Sequence, residues 1–240
     1  GVQVRNFGTR PVTTSAGTYV AYLFASDAGG YGDDEDENII KCGSFTPDGS
    51  NNADVSLGWE PQWILWKKTN ASGEWNMYDT QRGMSYAPPA ILRANESAAE
   101  FTSGTSYLAP TATGFAWRGI GSGDIIYIAI RRPMKTPESG TEVFGMATAT
   151  NTDPLFVTGL VTDLGFYKYL VNTGGVNFGT RLLEGTQLDT GTAAAEVTQT
   201  AQKFDYQNGF RDEPSPFAST QFIGYGFKRA TGFMDVVAYT

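Results

Sequence analysis

Apolar residues fall along this chain in the pattern of short β-strands. Runs such as "IIYIAI" (Ile125 to Ile130) and "YVAYLFA" (Tyr19 to Ala25) are continuous and end at Gly, Ser or Asp, as buried strands do. "WILWKK" (Trp63 to Lys68) and "EWNMYDT" (Glu74 to Thr80) are rich in aromatic and β-branched residues. In the second, strand alternation puts Trp75, Met77 and Asp79 on one face and Asn76, Tyr78 and Thr80 on the other. "TNASG" between them reads as a hairpin turn, with Gly73 free to take positive φ. Only Ala87 to Phe101 offers a helical turn or two. The prediction is an all-β chain.

Four landmarks occur twice in the same order. Gly83 of "DTQRG" and Gly185 of "RLLEG" are 102 residues apart, and "AAEFTS" at Ala98 and "AAEVTQ" at Ala194 are 96 apart. Phe115 of "TGF" and Phe210 of "NGF" are 95 apart, and the dibasic pairs Arg131-Arg132 and Lys228-Arg229 are 97 apart. Each match alone is weak, but four collinear ones indicate tandem duplication. The expected architecture is two tandem β-sandwich-like repeat units in series, with partial repeats at both ends. Residues 1–26 read as the end of a preceding repeat, 27–132 as unit one, 133–230 as unit two and 231–240 as the first strand of a following repeat. Unpaired strands at the ends would seek partners, so both termini are expected to be buried against neighbouring repeats or subunits.

Composition narrows the chemistry. The 240 residues include 29 glycines, no histidine and a single cysteine, with a net charge of −8. The missing histidine removes Ser-His-Asp and Cys-His nucleophiles and imidazole metal sites. One cysteine, Cys42, allows no intrachain disulfide, and its apolar run "IIKCGSF" reads as a buried strand. The acidic balance disfavours nucleic acid, and no run reaches the ~18 apolar residues of a membrane span.

The candidate site residues are few. Four of the five tryptophans lie between Gly58 and Gly83. Trp63, Trp66 and Trp75 read as core, because unit two keeps aromatic character at those places without tryptophan. Trp59, in the turn "LGWEP", is the best candidate among them for an exposed side chain that could stack a sugar ring. At an offset of 102, Asp79 and Arg82 fall opposite Arg181 and Glu184, with the signs exchanged. A catalytic carboxylate cannot become an arginine, whereas a structural ion pair can be reversed. Two structural ion pairs are therefore expected, Asp79–Arg82 and Arg181–Glu184. In "GDDEDEN", Asp33, Asp34 and Asp36 supply oxygen ligands suited to Ca²⁺, without the spacing of a dedicated loop; a solvated loop and no cofactor is the plainer expectation.

"GWEPQWILWKKTNASGEWNMYDTQRG", "GDIIYIAIRRPMK" and "FKRATGFMDVVAYT" resemble repeats of tail-fibre and other virion structural proteins of tailed bacteriophages, marine and cyanobacterial ones in particular. The resemblance rests on Gly58, Pro61, Lys67, Trp75, Tyr78, Asp79, Arg82, Gly83 and Tyr127; unit two lacks the Trp and the Asp-Arg order. It implies a non-enzymatic structural or adhesive component of a virion, made in the host cytoplasm. It also implies self-association, with a homotrimer as the leading form, or contact with other virion proteins, and contact with a host surface glycan. The alternatives are a secreted carbohydrate-binding module and a polysaccharide depolymerase built on two carboxylates drawn from Glu74, Asp79, Glu100 and Asp124.

Overall fold

A computed structural model describes residues 23–32, 35–85, 89–102, 104–132, 135–171, 175–212 and 221–237. The chain is all-β, with three short 3-10 turns among the described residues. Strands β1 (Ile40–Phe45), β2 (Asn52–Ser56), β3 (Pro61–Lys68), β4 (Asn76–Asp79), β5 (Ala90–Arg93), β6 (Phe101–Thr102), β7 (Tyr107–Thr111), β8 (Gly114–Arg118) and β9 (Ile125–Arg131) build unit one. Strands β10 (Phe144–Thr148), β11 (Leu164–Tyr169), β12 (Asn177–Thr180), β13 (Thr186–Asp189), β14 (Val197–Thr198) and β15 (Phe222–Phe227) build unit two.

The two units share one topology. Unit one's main sheet runs β1-β9-β3-β4-β5-β6, and unit two's runs β10-β15-β11-β12-β13-β14. Every strand of the main sheet thus has a counterpart, and each closing strand lies beside its own unit's first strand. In unit one a second sheet, β2-β8-β7, covers the main one. Among the described residues of unit two this layer shrinks to the bridges Phe156–Phe210 and Lys203–Arg211. The Phe156–Phe210 bridge sits where Val55 faces Phe115 in unit one.

The recurring Gly-Phe of "TGF" and "NGF" has a steric cause. A Cβ on Gly114 would lie 1.8 Å from the carbonyl oxygen of Val55, and one on Gly209 would lie 2.0 Å from that of Phe156. Only glycine lets these backbones approach, and the approach sets the following ring, Phe115 or Phe210, fully inside the core.

The cores are filled differently. Unit one stacks Trp66 edge-on to Trp117 at 4.7 Å and along Tyr78 at 6.4 Å. Strand register places Gly165, Gly179, Gly224 and Gly226 of unit two where unit one has Ile64, Tyr78, Tyr127 and Ala129. The volume returns from the opposite layer: Phe156 lies over Gly224, Phe210 over Gly165 and the Gln202 side chain over Gly179. Phe156, Phe204 and Phe210 form the centre of this core, with Phe204 and Phe210 stacked at 5.6 Å. Interiors conserve packing density rather than residue identity, which explains the tryptophan-free second unit.

Several expectations need correction. Cys42 is exposed, because it lies on the outer face of the first strand, which is an edge strand of the main sheet. The segment read as helical contains β5 and β6 instead, since Ile91 anchors a strand in the core. The hairpin joining β3 and β4 forms, but Gly73 does not take positive φ. Trp63 and Trp75 are only half-buried, on the outer face; Lys67 Nζ sits 5.7 Å from the Trp75 ring centre. Residues 231–237 make a turn closed by an Ala230–Met234 bridge rather than a strand. The predicted partial repeat at 1–26 lies outside the described residues up to Tyr22, and residues 23–26 contain no strand.

Replacing Gly114 or Gly209 by alanine is expected to cost about 1–3 kcal/mol through forced separation of the layers. Chemical denaturation checks this, with Gly49→Ala, where an added methyl meets nothing within 4 Å, as the near-neutral control.

Candidate functional site

The units meet through contacts that run in both directions. Arg132, at the end of unit one, reaches the carboxylate of Asp163 in unit two. Its counterpart Arg229, at the end of unit two, reaches Glu60 in unit one. All four residues are buried. Asp163, 1% exposed, also accepts from the Arg229 backbone N–H at 2.7 Å and pairs with Arg181 at 3.4 Å. Arg181 then donates to the Thr80 carbonyl at 3.1 Å. By strand register Thr80 and Arg181 are the same position in the two units, each just after a strand's last residue. Equivalent positions in mutual contact mark a two-fold-like, closed pairing rather than head-to-tail stacking. Burial pushes Glu60 up from its ordinary pKa, against the pull of Arg229, and pushes Arg181 down.

The same register revises the charge pattern. Asp79 aligns with Thr180, not Arg181. Both cap a 3-10 turn: Asp79 accepts from the N–H groups of Gln81 and Arg82, and Thr180 from that of Leu183. Asp79 pairs with Arg82 at 2.6 Å. The predicted Arg181–Glu184 pair is replaced by two others, Arg181 with Asp163 and Glu184 with Lys203 at 2.7 Å. Gly83 and Gly185 both take left-handed φ, at +81° and +89°. Unit two reaches its glycine one residue later, and the extra residue is Glu184.

That insertion builds the site. Glu184 is buried, accepting from Lys203 and from the Phe204 N–H at 2.9 Å, and it hydrogen-bonds Asp205. A methyl on Gly83 would lie 3.7 Å from one Asp205 oxygen and 3.8 Å from one of Glu184, so unit one's turn faces the carboxyl pair directly. Between them lies a cleft of ≈ 440 Å³, walled by Gln81, Arg82 and Glu100 from unit one and by Glu184, Lys203 and Asp205 from unit two. Arg82 bridges Asp79 and Glu100, the latter at 3.2 Å. Burial, followed by the neighbouring Glu184, raises the Asp205 pKa to about 7.

Of the residues singled out from sequence, Arg82, Glu100 and Glu184 border this cleft; Trp59, Glu74 and Asp124 do not. Trp59 is 6% exposed and belongs to unit one's core, so it is not a stacking platform. Gly58 at φ +87° and the bonds from Leu57 and Gly58 to the Thr113 carbonyl fold its turn inward. Glu74 hydrogen-bonds the Asn95 side chain, and Asp124 accepts from Thr46 at 2.8 Å. Asp33 and Asp34 lie outside the described residues, and Asp36 is exposed. Among the described residues no group of three or more Asp, Glu or Cys is placed to hold a metal ion. Sequence reading missed Asp163, Lys203 and Asp205, which carry no motif. The one available signal was the change of repeat spacing from 102 at Gly83 to 95 at Phe115.

Two predictions follow from this geometry. Asp163→Asn leaves buried arginines without their counter-charge and is expected to cost about 3–5 kcal/mol in denaturant unfolding. Asp205 keeps its proton in the folded chain up to about 7, whereas the unfolded chain releases it near 3.8. Folding therefore takes up a proton between these values, so this group's contribution to stability falls as pH rises through that window and is flat above it. Melting temperatures from pH 4 to 8 should show the decline, and Asp205→Asn should flatten it.

No curated protein and no solved structure matches the chain. A family model described as a domain of unknown function (DUF7483) matches residues 2–130, which ends within the last strand of unit one. The chain belongs to the family of domain of unknown function DUF7483.

Proposed function

We propose that this protein is a non-enzymatic structural and adhesive component of a bacteriophage virion, acting in a tail fibre. The observation that carries the reading is the fusion of two like units by reciprocal buried ion pairs, with an apolar outer sheet face repeated on each. Leu65, Met77 and Ile128 on one sheet correspond to Phe166, Phe178 and Tyr225 on the other. Phe166 lies 4.7 Å from Phe178 and 4.9 Å from Tyr225, and Met146 and Leu188 on the same face are more than half exposed. Contiguous apolar faces of this kind favour association with other chains. The assignment to a phage particle and the homotrimer come from the sequence resemblance.

The Glu184–Asp205 pair favours a depolymerase more than any carboxylate named from sequence. Its members are in hydrogen-bond contact, however, whereas two-carboxylate glycosidases hold theirs at least ~5 Å apart. The binding role is therefore preferred.

The protein is expected to band with tailed-phage particles in a density gradient, with gold-labelled antibody marking fibres; recovery only from the particle-free fraction would reject the virion reading. In sedimentation, the chain should form a concentration-dependent oligomer. Met146→Glu with Leu188→Glu should weaken association by about tenfold or more without lowering the melting temperature. A monomer at every concentration would reject self-assembly.

A further inference from the structure

We propose that the cleft between the two units is a binding site for a neutral polyhydroxylated ligand, a glycan segment of one or two sugar rings. This gives the adhesive half of the proposed function a location and rests on it. Both walls present polar atoms that the protein leaves unsatisfied. Gln81 Oε1 from unit one and, beyond the contact of its carboxyl with Glu184, Asp205 Oδ1 from unit two are buried without a hydrogen-bond partner. Buried polar atoms normally find partners, and two orphans lining one cleft point to a partner from outside the protein.

The rest of the lining defines that partner. Thr102 and Thr200 bring hydroxyls, Arg82 and Lys203 bring donors, and Glu100 and Glu184 bring acceptors. Donors and acceptors are thus interspersed, which suits hydroxyl groups that give and take hydrogen bonds at once. Both cations are already neutralised, Arg82 by Asp79 and Glu100, and Lys203 by Glu184. An anionic ligand would meet three carboxyl groups without a free counter-charge, which disfavours phosphates and acidic sugars. Among the described residues no aromatic or large aliphatic side chain lines the space, which disfavours apolar ligands. The volume of ≈ 440 Å³ lies inside the ~300–1,000 Å³ range of small-molecule sites. The site exists only in the paired units, because Gln81 and Asp205 come from different ones.

The test titrates the intact protein with maltohexaose, cellohexaose and laminarihexaose by calorimetry, and follows the Asp205 carboxyl carbon by NMR across pH. At least one hexasaccharide should bind saturably. Ligand hydroxyls donating to Asp205 favour its charged form, so its midpoint should move down from about 7 on saturation. Thr200 is exposed at the mouth, so Thr200→Trp should fold normally and weaken binding about tenfold or more, as should Gln81→Ala. No binding by any of the three at about 10 mM would overturn the proposal. So would binding that leaves the Asp205 midpoint unmoved and persists in both variants. Particle banding is read separately, so a failure here leaves the virion reading standing and locates its adhesion elsewhere.

Discussion

The arrangement of the two units depends on Asp163. A carboxylate removed from water is stable only when positive groups surround it, and this one has the guanidinium groups of Arg132 and Arg181 and the backbone N–H of Arg229. Those three residues come from the end of unit one, the turn after β12 and the end of unit two. One buried charge therefore ties three separate pieces of chain together. The mirror contact, Glu60 with Arg229, repeats the logic at the other side of the interface. Hydrophobic contact alone would let two β-sandwiches slide against each other, whereas directional buried pairs permit one register.

That fixed register makes the cleft possible. The turns after β4 and β12, the same turn in each unit, form part of each wall and are brought face to face by the two-fold-like pairing. In unit one the turn ends at Gly83; in unit two it runs one residue further and buries Glu184. A strictly repeated pair would have placed two small glycine turns together. The inserted carboxyl breaks the symmetry and, with Asp205, gives one wall a chemistry the other lacks.

Much of the fold could be read from sequence, because strand periodicity and duplicated landmarks are local signals. "TGF" and "NGF" marked equivalent places because the close approach of the layers demands glycine there. The site was harder to see for an equally physical reason. Left-handed turns demand glycine, so Gly83 and Gly185 aligned even though the residues before them were out of step by one. That hid Thr180 as the counterpart of Asp79 and suggested an ion-pair exchange the structure does not make. Trp59 misled because a turn between strands usually faces water, whereas here the turn folds back over a second layer that the local sequence does not reveal.

The exchange of bulk between layers bears on how such a chain can change by recombination. In unit one both layers contribute large side chains, Trp66 and Tyr78 from the main sheet and Phe115 and Trp117 from the cover; in unit two glycines line much of the main sheet and the covering layer supplies most of the rings. Each layer is fitted to its own partner. Crossovers falling inside a unit would join a main sheet to a cover shaped for the other unit's sheet, and yield either collision or void. Crossovers between units keep each pair of layers intact. Duplicated genes of this kind can therefore exchange whole units where the buried charges of the interface travel with them, while the interiors drift apart, and the two halves retain a common topology long after their cores have ceased to be interchangeable.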